Sequence, residues 1–411
     1  MKILIVNSND IIGGASRAAF RLHESLLSEG VNSQMLVQQK KSNIPSVIST
    51  NSKIRKIFIN PFRPALDHIL MKFIGTKVLF SSSYMPFSEI IKQINHINPD
   101  IVHLHWVTGG MMKIEDLSKI NAPIAWSLHD MWAFTDGFHY DEYYDMHKNI
   151  NVSMPKNFLS DKVFYRKQEA YSKISNITII GLSKWMSDCA KNSSLLKNKQ
   201  HINLPNIIDT SIFKPFNKKK SKELWNLKSN KKIILFGTLN AADDPRKGFS
   251  ELSKALRKLT MRNIELVIFG SEKPKHPADF GFNTRYLGSI DDDESLAKLY
   301  SAADVMVVPS LQENLSNAIM ESLACATPVV GFNIGGNKDM IEHKENGYLA
   351  KPFDVTDLKN GIEWTLKNDL STKAREKVLL NFDSKIVVKK YINLYKNILN
   401  QKQPLDTKYS Q

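Results

Sequence analysis

Two acidic residues with a short, fixed spacing bracket a run of small and polar residues in the C-terminal half of the chain. Glu313 and Glu321 are separated by seven residues, and Ser316 between them is a favourable N-cap for a helix. Both carboxylates could therefore face one ligand, the first from a loop and the second from the helix. The unpaired backbone N–H groups of a helix N-terminus would favour an anion there. For an isolated pair, however, one helix cap and one solvated surface acid would be the preferred interpretation.

A basic pair stands in a loop between a strand-like run and a helical stretch. Arg246 and Lys247 follow the apolar run Lys231–Gly237 and precede Gly248. Cations at this place can stabilise the charge of a departing phosphate group more than they stabilise the ground state. The alternative is an ordinary basic first turn of a helix. Because cations at a helix N-terminus are unfavourable without an anion, we favour the functional interpretation.

A glycine pair and a histidine follow strand-like runs in the N-terminal half. Gly13 and Gly14 allow the backbone to approach a ligand closely, although by themselves they indicate only a strand-to-helix turn. His129 stands at the end of the run Ile124–Leu128, from where a ring nitrogen can reach a substrate. A buried histidine with satisfied hydrogen bonds is the structural alternative, and we favour the functional one.

Two further patterns suggest metal sites but have simpler explanations. Asp291–Asp293 lies where a strand ends and a helix begins, and acids are stabilised at a helix N-terminus by its dipole. His103 and His105 alternate on a strand-like run without a third ligand. We therefore predict that the protein requires no metal.

Both halves of the chain alternate short apolar runs with helical stretches. Such runs are typical of strands that are buried on both faces of a parallel sheet. They are Lys2–Asn7, Ser33–Gln38, Ile101–Trp106, Ile124–Leu128 and Ile177–Leu182 in the first half, and Lys231–Gly237, Ile264–Gly270, Asp304–Pro309 and Pro328–Phe332 in the second. We predict an α/β fold of two doubly wound, Rossmann-like domains. Their carboxyl strand edges, where such folds bind ligands, are expected to face one central cleft.

The domain boundaries are placed where this alternation stops. The predicted domains are residues 1–205 and 223–382, joined by a linker at residues 206–222. Residues 383–400 are expected to form a C-terminal helix that crosses back to the first domain, and residues 401–411 a flexible tail.

Length and composition agree with two globular domains. The chain has 411 residues, of which 42% are hydrophobic and 24% charged. It has neither a signal-peptide apolar segment nor a run long enough to span a membrane. Its two cysteines, Cys189 and Cys325, fit a reducing compartment. We therefore expect a cytoplasmic protein.

The formal net charge of +15 is spread over both halves of the chain. Its densest stretch, Lys53–Lys77, interleaves basic residues with bulky apolar ones, as segments on anionic membrane surfaces do. A solvated face over a buried apolar stripe explains the stretch equally well. A nucleic-acid partner is not expected, because the sequence shows neither a recognised binding motif nor a single basic stripe.

The C-terminal motifs together resemble the family 4 retaining glycosyltransferases of the GT-B fold. The shared order is a strand, Pro-Ser, Glu313, seven residues, Glu321, a small-residue helix and Pro-Val-Val. The resemblance continues through Gly335-Gly336, Glu345-Asn346-Gly347-Tyr348-Leu349 and Asp354. It implies that Glu313 contacts the transferred sugar, that Glu321 binds the ribose hydroxyls and that Lys247 meets the donor phosphates.

The resemblance also implies further contacts. His129 matches a histidine that contacts the donor sugar and is counted with Glu313 and Lys247 as catalytic. The other donor-binding candidates are Arg246, Gly237, Thr238, Asn314, Leu315, Ser316, Gly13 and Gly14. Thr238 stands where family members often have an arginine, which leaves open whether Arg246 replaces it.

The implied reaction is transfer of a sugar, with retention of configuration, from a nucleoside-diphosphate donor of the UDP or GDP type to a hydroxyl acceptor, without a cofactor. Residues 1–205 would lie on the acceptor side and residues 223–382 would bind the donor. The segment Trp132–Tyr140 resembles polysaccharide, O-antigen and colanic-acid-type transferases, which implies a lipid-linked glycan as acceptor. Together with the basic stretch Lys53–Lys77, such an acceptor favours a peripheral position at the inner face of the cell membrane. Two alternatives stay open: a GT-B-fold nucleotide-sugar epimerase and a non-catalytic sugar-nucleotide-binding protein.

Overall fold

The chain divides into two compact units, each built on a parallel sheet flanked by helices. The computed structural model describes residues 1–49, 62–65, 67, 79–85, 89–140, 144, 145, 150, 151, 158–237, 244–275, 277 and 279–401. The first unit consists of Met1–Asn206 together with the chain from Val387 onward, and the second consists of Ile207–Ile386.

The described part of the first unit contains a seven-stranded parallel sheet and a short antiparallel pair. Its strands are β1 (Lys2–Asn9), β2 (Asn32–Gln39), β3 (Val47–Ser49), β4 (Ile101–Leu104), β5 (Ile124–Leu128), β6 (Tyr144–Asp145), β7 (Ile150–Asn151), β8 (Ile177–Gly181) and β9 (Gln200–Asn203). The order in the sheet is β3-β2-β1-β4-β5-β8-β9, and β6 pairs with β7. The strand order therefore reverses between β1 and β4, which makes their carboxyl ends the expected place for a ligand.

The second unit has a parallel sheet of six described strands. They are β10 (Lys232–Gly237), β11 (Ile264–Phe269), β12 (Asn283–Tyr286), β13 (Val305–Val308), β14 (Val329–Phe332) and β15 (Gly347–Ala350), in the order β12-β11-β10-β13-β14-β15. Here the order reverses between β10 and β13. The loops that leave these two strands carry Lys247 and Glu313, the residues predicted to bind the donor.

The strands are continuously apolar because both of their faces are covered. Residues Ile3, Leu4, Ile5 and Val6 of β1 have no exposed surface, and the same holds for Val305, Met306 and Val307 of β13. This confirms the interpretation of the apolar runs as strands inside parallel sheets.

The helices alternate with the strands as the sequence pattern predicts. The first unit has α1 (Gly14–Ser28), α2 (Ile90–Ile97), α3 (Phe158–Ser172) and α4 (Lys184–Asn192), and the second has α5 (Lys218–Leu224), α6 (Phe249–Arg257), α7 (Asp293–Ala302), α8 (Asn317–Ala324), α9 (Asn337–Met340), α10 (Val355–Lys367) and α11 (Ser371–Asn381), followed by α12 (Ser384–Asn400). Side-chain oxygens of Ser183, Asp292 and Asp354 cap α4, α7 and α10.

The last helix returns the chain to the first unit, as predicted. From Val387 onward α12 belongs to that unit, where Tyr391 and Tyr395 are 1% and 0% exposed. The segment expected to be a linker, residues 206–222, lies from Ile207 onward in the second unit and includes the start of α5. The tail from residue 402 lies outside the described residues.

The basic stretch Lys53–Lys77 lies outside the described residues except for positions 62–65 and 67. Within it, Arg63 is only 5% exposed, and its Nε donates to the carbonyl oxygen of Gly110 at 2.5 Å. Arg63 therefore contributes no charge to a basic surface. Among the helices that are described, none combines the length and the apolar character needed to cross a membrane.

Candidate active site

The loops that leave β10 and β13 are joined where the strand order of the second sheet reverses. Gly248 approaches the end of β13 so closely that a Cβ atom would lie 1.9 Å from the carbonyl oxygen of Pro309, and its φ of +68° also favours glycine. The backbone N–H of Leu311 donates to the carbonyl oxygen of Arg246 at 2.7 Å. These contacts hold the 3-10 turn Pro245–Lys247 beside the loop after β13.

Lys247 and Glu313 meet at this junction although 66 positions separate them in the chain. Lys247 Nζ lies 3.1 Å from Glu313 Oε2, and the Ser310 hydroxyl donates to the same oxygen at 3.3 Å. The Glu313 side chain is 15% exposed and that of Lys247 is 37% exposed. The junction thus places a carboxylate and a solvent-accessible cation side by side at the sheet edge where ligands bind.

Glu321 is buried in the second unit. It lies on α8 with 4% of its surface exposed, and the Tyr300 hydroxyl donates to its Oε2 at 3.0 Å. Burial of a carboxylate is costly unless hydrogen bonds stabilise it, so α7 and α8 together hold this group in place. The sequence alone gives Tyr300 no role in the site, because an aromatic residue in a helical stretch is usually part of the core.

Three candidates lie at the start of α8. Asn314, Leu315 and Ser316 are each at least nine-tenths buried. Ser316 occupies the predicted N-cap position, but its hydroxyl makes no capping hydrogen bond to α8. The Ser316 side chain therefore does not satisfy the first backbone N–H groups of this helix.

The candidates around β10 have different surroundings. The Arg246 guanidinium donates to both carboxylate oxygens of Asp244, at 3.0 Å from Nε and 2.7 Å from Nη2, so its charge is offset by its neighbour. Thr238 lies outside the described residues. Gly237 has a packing role, because a Cβ atom there would lie 2.1 Å from the ring of Phe269.

The glycine loop of the first unit leads from β1 into α1. Gly13 has a φ of +89° and stands at the N-cap of α1, while Gly14 is the first residue of that helix. A Cβ atom at Gly13 would meet nothing within 4 Å, so glycine is needed there for the backbone conformation and not for space. Asn7 Nδ2 donates to Ser16 Oγ at 2.9 Å, which ties the start of α1 to β1.

His129 is hydrogen-bonded to a histidine that follows the neighbouring strand. His105 Nδ1 and His129 Nε2 are 2.9 Å apart, and the ring centroids are separated by 5.2 Å. Burial lowers the pKa of His129 to about 4 and holds that of His105 well below its usual value. Both rings are therefore neutral at pH 7. From the sequence, His105 was a candidate only as a metal ligand, and nothing there paired it with His129.

His103 has a structural explanation. It is fully buried, its Nδ1 lies 2.7 Å from the Tyr395 hydroxyl of α12, and its Nε2 lies 2.9 Å from Ser127 Oγ. In the described ranges, no three side chains of the His, Cys, Asp or Glu type come together as metal ligands would.

Asp130 anchors the loop that follows β5. Its Oδ2 accepts a hydrogen bond from Trp106 Nε1 at 2.8 Å and lies 2.6 Å from His139 Nδ1. Burial raises the pKa of Asp130, but the electrostatic interaction with His139 and the hydrogen bonds outweigh it, and the net shift is downward. Lys167, which has no exposed surface, donates to the carbonyl oxygen of Thr135 at 3.1 Å. These contacts hold the segment after β5 firmly against the sheet.

The acidic run Asp291–Asp293 is a helix start, as predicted. Asp292 is the N-cap of α7 and accepts a hydrogen bond from the backbone N–H of Ser295 at 2.7 Å. That hydrogen bond lowers the pKa of Asp292.

The fold is shared with proteins of known structure. Sucrose-phosphate synthase from Thermosynechococcus elongatus matches with a TM-score of 0.69 at 19% identity, over 98% of this chain and 100% of that one. The Anabaena protein HepE, solved in complex with UDP and glucose, matches with a TM-score of 0.63 at 14% identity, over 96% of this chain and 99% of that one. The chain therefore has the predicted GT-B fold of two Rossmann-like units.

Sequence comparison points to the second unit in particular. Residues 217–379 match the family model described as "Glycosyl transferases group 1", and this segment contains Lys247, Glu313 and Glu321. An uncharacterized glycosyltransferase of Methanocaldococcus jannaschii is 29% identical over 184 residues, which is 41% of this chain and 46% of that protein. The chain spans less than half the length of the first curated relatives that it matches.

Proposed function

We propose that this chain is a retaining glycosyltransferase that moves a sugar from a nucleoside diphosphate to a hydroxyl acceptor. The observation that carries the proposal is the pair of Lys247 and Glu313, 3.1 Å apart at the reversal point of the second sheet. The pair lies inside the segment that matches group 1 glycosyl transferases. The transferase names of the family model and of two relatives favour group transfer over isomerisation.

Lys247 would act on the leaving group. Breaking the donor bond leaves a nucleoside diphosphate whose new charge is largest in the transition state and product, so a cation placed there accelerates the step. The 37% exposed side chain of Lys247 can reach such an anion. An ion pair at this exposure contributes up to about 1 kcal/mol, so exchanging the Glu313 carboxylate for a phosphate costs little. With cationic side chains in this role, the reaction would need no metal ion.

Glu313 would orient the sugar. Its Oε2 is held by Lys247 and Ser310, and a carboxylate fixed in this way can accept hydrogen bonds from sugar hydroxyls. The acceptor oxygen would bond to the anomeric carbon on the face from which the diphosphate departs, which retains the configuration. The acceptor proton would pass to the departing phosphate oxygen, so no covalent enzyme intermediate is needed.

The nucleoside would be held by Glu321. Its buried carboxylate, fixed by Tyr300, suits two neighbouring ribose hydroxyls. The complexes of HepE with UDP and with UDP-glucose support a donor of the UDP type. In the first unit, we propose that neutral His129 forms a hydrogen bond with a hydroxyl of the sugar substrate.

The acceptor would be a lipid-linked glycan, and the protein would work in the cytoplasm at the inner face of the membrane. Because Arg63 is buried, attraction to anionic lipid would come from other basic residues of the stretch, among them Lys53, Arg55, Lys56 and Lys72. Co-sedimentation with phosphatidylserine liposomes should fall when these four are neutralised. Unchanged binding would refute this part of the proposal.

Nucleotide binding and turnover test the main proposal. Thermal-shift measurements with UDP, GDP and ADP should identify one base, because a ligand at a hundred times its Kd stabilises the folded state by about 2.7 kcal/mol. The matching sugar nucleotides are then supplied with and without glycan acceptors. Acceptor-dependent release of the nucleoside diphosphate is the expected result. Isomerisation without an acceptor would indicate an epimerase, and binding without turnover would indicate a non-catalytic protein.

A further inference from the structure

The hydrogen bonds of His105 do not explain why a histidine is buried there. The residue is 4% exposed, and within the described chain its ring makes one hydrogen bond, from Nδ1 to His129 Nε2. Its Nε2 is buried and has no partner among the described residues. An unpaired buried polar atom costs about 1–3 kcal/mol, which an apolar side chain would avoid. The protein contacts of the ring therefore account for Nδ1 of His105 and not for Nε2.

His103, two residues earlier on the same run, shows the contrasting case. Both of its ring nitrogens have partners, the hydroxyls of Tyr395 and Ser127. The two rings are neighbours, with centroids 4.4 Å apart, and both are buried. His103 is thus a satisfied core histidine, while the ring of His105 is directed to one partner.

The partner, His129, is held in place by its hydrogen bond with His105. Burial keeps both rings neutral, and for His105 the neighbouring His103 and His129 add to the effect, so the N···N hydrogen bond between His105 and His129 contains one proton. Asp130, the acid that follows His129 in the chain, is engaged by His139 and Trp106. The bond fixes the rotation of the His129 ring, occupies its Nε2 and couples the tautomers of the two rings.

The pair lies where a small ligand group could bind. His105 and His129 line a small pocket at the carboxyl edge of the first sheet, together with Thr108, Trp126 and Trp132. The pocket has a volume of about 10 Å³, which is room for a single water-sized group such as a hydroxyl. An orientation of the His129 ring that is set by His105 would therefore matter at this pocket.

We propose that His105 is a positioning residue that acts through His129. By holding Nε2 of His129, it orients the other ring nitrogen, Nδ1, toward a hydroxyl of the sugar substrate. This inference rests on the proposed function and adds His105 to the residues that the transfer reaction needs.

A double-mutant cycle tests the proposal. His105→Leu, His129→Ala and the double variant are compared by kcat and KM with the matching sugar nucleotide, and by thermal unfolding. His105→Leu should lower kcat about tenfold or more, with a smaller effect on KM, because a fixed hydrogen bond to the sugar is lost. The double variant should be no slower than His129→Ala alone, since His105 then has nothing to position. His105→Asn, whose side-chain amide lies near the place of Nδ1, should recover most of the activity.

His103→Leu is the matched control. It removes an equally buried ring from the same run but leaves the Tyr395 and Ser127 hydroxyls unpaired. It should lower the unfolding temperature. Its effect on kcat should be independent of His129, so that combining it with His129→Ala reduces kcat by the product of the two single reductions. If the reductions of kcat by His105→Leu and His129→Ala also multiply in their double variant, the inference is overturned and the proposed function stays intact.

Two further results are decisive. If His129→Ala keeps wild-type kcat, both the role of His129 and the inference fail, while transfer itself stands. If no sugar nucleotide is turned over, the proposed function fails together with the contact to the sugar, while ¹⁵N-histidine NMR spectra still decide whether His105 positions the His129 ring. The imidazole nitrogens of His129 should shift in His105→Leu and not in His103→Leu. Unshifted nitrogens in His105→Leu would show that His105 positions nothing.

Discussion

Replacing Glu313 by glutamine separates the chemistry of the second unit from its stability. The substitution keeps the side-chain shape and removes the charge that Lys247 meets at 3.1 Å. Because that ion pair is partly exposed, its loss should lower the free energy of unfolding by no more than about 1 kcal/mol. A charged hydrogen bond to the reacting sugar is worth roughly 1.5–3 kcal/mol, so kcat should fall about ten- to a hundredfold.

In Glu313→Gln, the affinity for the free nucleoside diphosphate should not fall with kcat. Lys247 keeps its charge and loses its carboxylate partner, so Glu313→Gln should bind the diphosphate as well as the wild type or more tightly. Calorimetry with the diphosphate alone, beside steady-state rates, measures both quantities. Glu342→Gln is the control. It removes the carboxylate of another ion pair in the same unit, in which Glu342 Oε1 lies 2.6 Å from Lys377 Nζ, and should keep the wild-type rate. Wild-type kcat in Glu313→Gln would refute the central assignment.

Four other outcomes are expected. Glu321→Gln should weaken binding of the nucleoside diphosphate about ten- to a hundredfold in calorimetry, because its charged hydrogen bonds to ribose are lost; unchanged affinity would exclude the ribose role. EDTA should leave initial transfer rates unchanged, and a loss that manganese restores would contradict the metal-independent mechanism. Gly248→Ala should lower the free energy of unfolding, measured by urea titration, by more than Gly281→Ala does. Both glycines have a positive φ, which costs alanine roughly 1–2 kcal/mol. Only at position 248 would the new Cβ atom also collide with backbone, 1.9 Å from the carbonyl oxygen of Pro309. Folding lowers the pKa of His129 from 6.5 to about 4, so between these pH values the unfolded chain binds a proton that the folded chain does not. The free energy of unfolding should therefore fall as the pH drops from about 6.5 to about 4. In His129→Ala, the fall between pH 7 and pH 5 should be smaller.

Local patterns in the sequence determined the fold class. A strand buried on both faces must be apolar throughout, so runs such as the one that became β13 can be recognised without any knowledge of their neighbours. The loops that carry Lys247 and Glu313 follow such runs, which was enough to predict both residues at a carboxyl strand edge. The acidic start of α7 was also predictable, because a helix cap acts within three residues.

Tertiary structure decided which of these residues meet. The ion pair of Lys247 and Glu313 exists because β10 and β13 are neighbours in the second sheet, and strand order leaves no periodic signal in the chain. The contact of His105 with His129 arises in the same way from the pairing of β4 with β5. Tyr300 reaches Glu321 only through the packing of α7 on α8, and Arg63, read as part of a basic surface, is buried by contacts with residues far along the chain. Hydrophobic periodicity is a local property of the sequence, whereas the partner of a buried polar group is chosen by the whole fold.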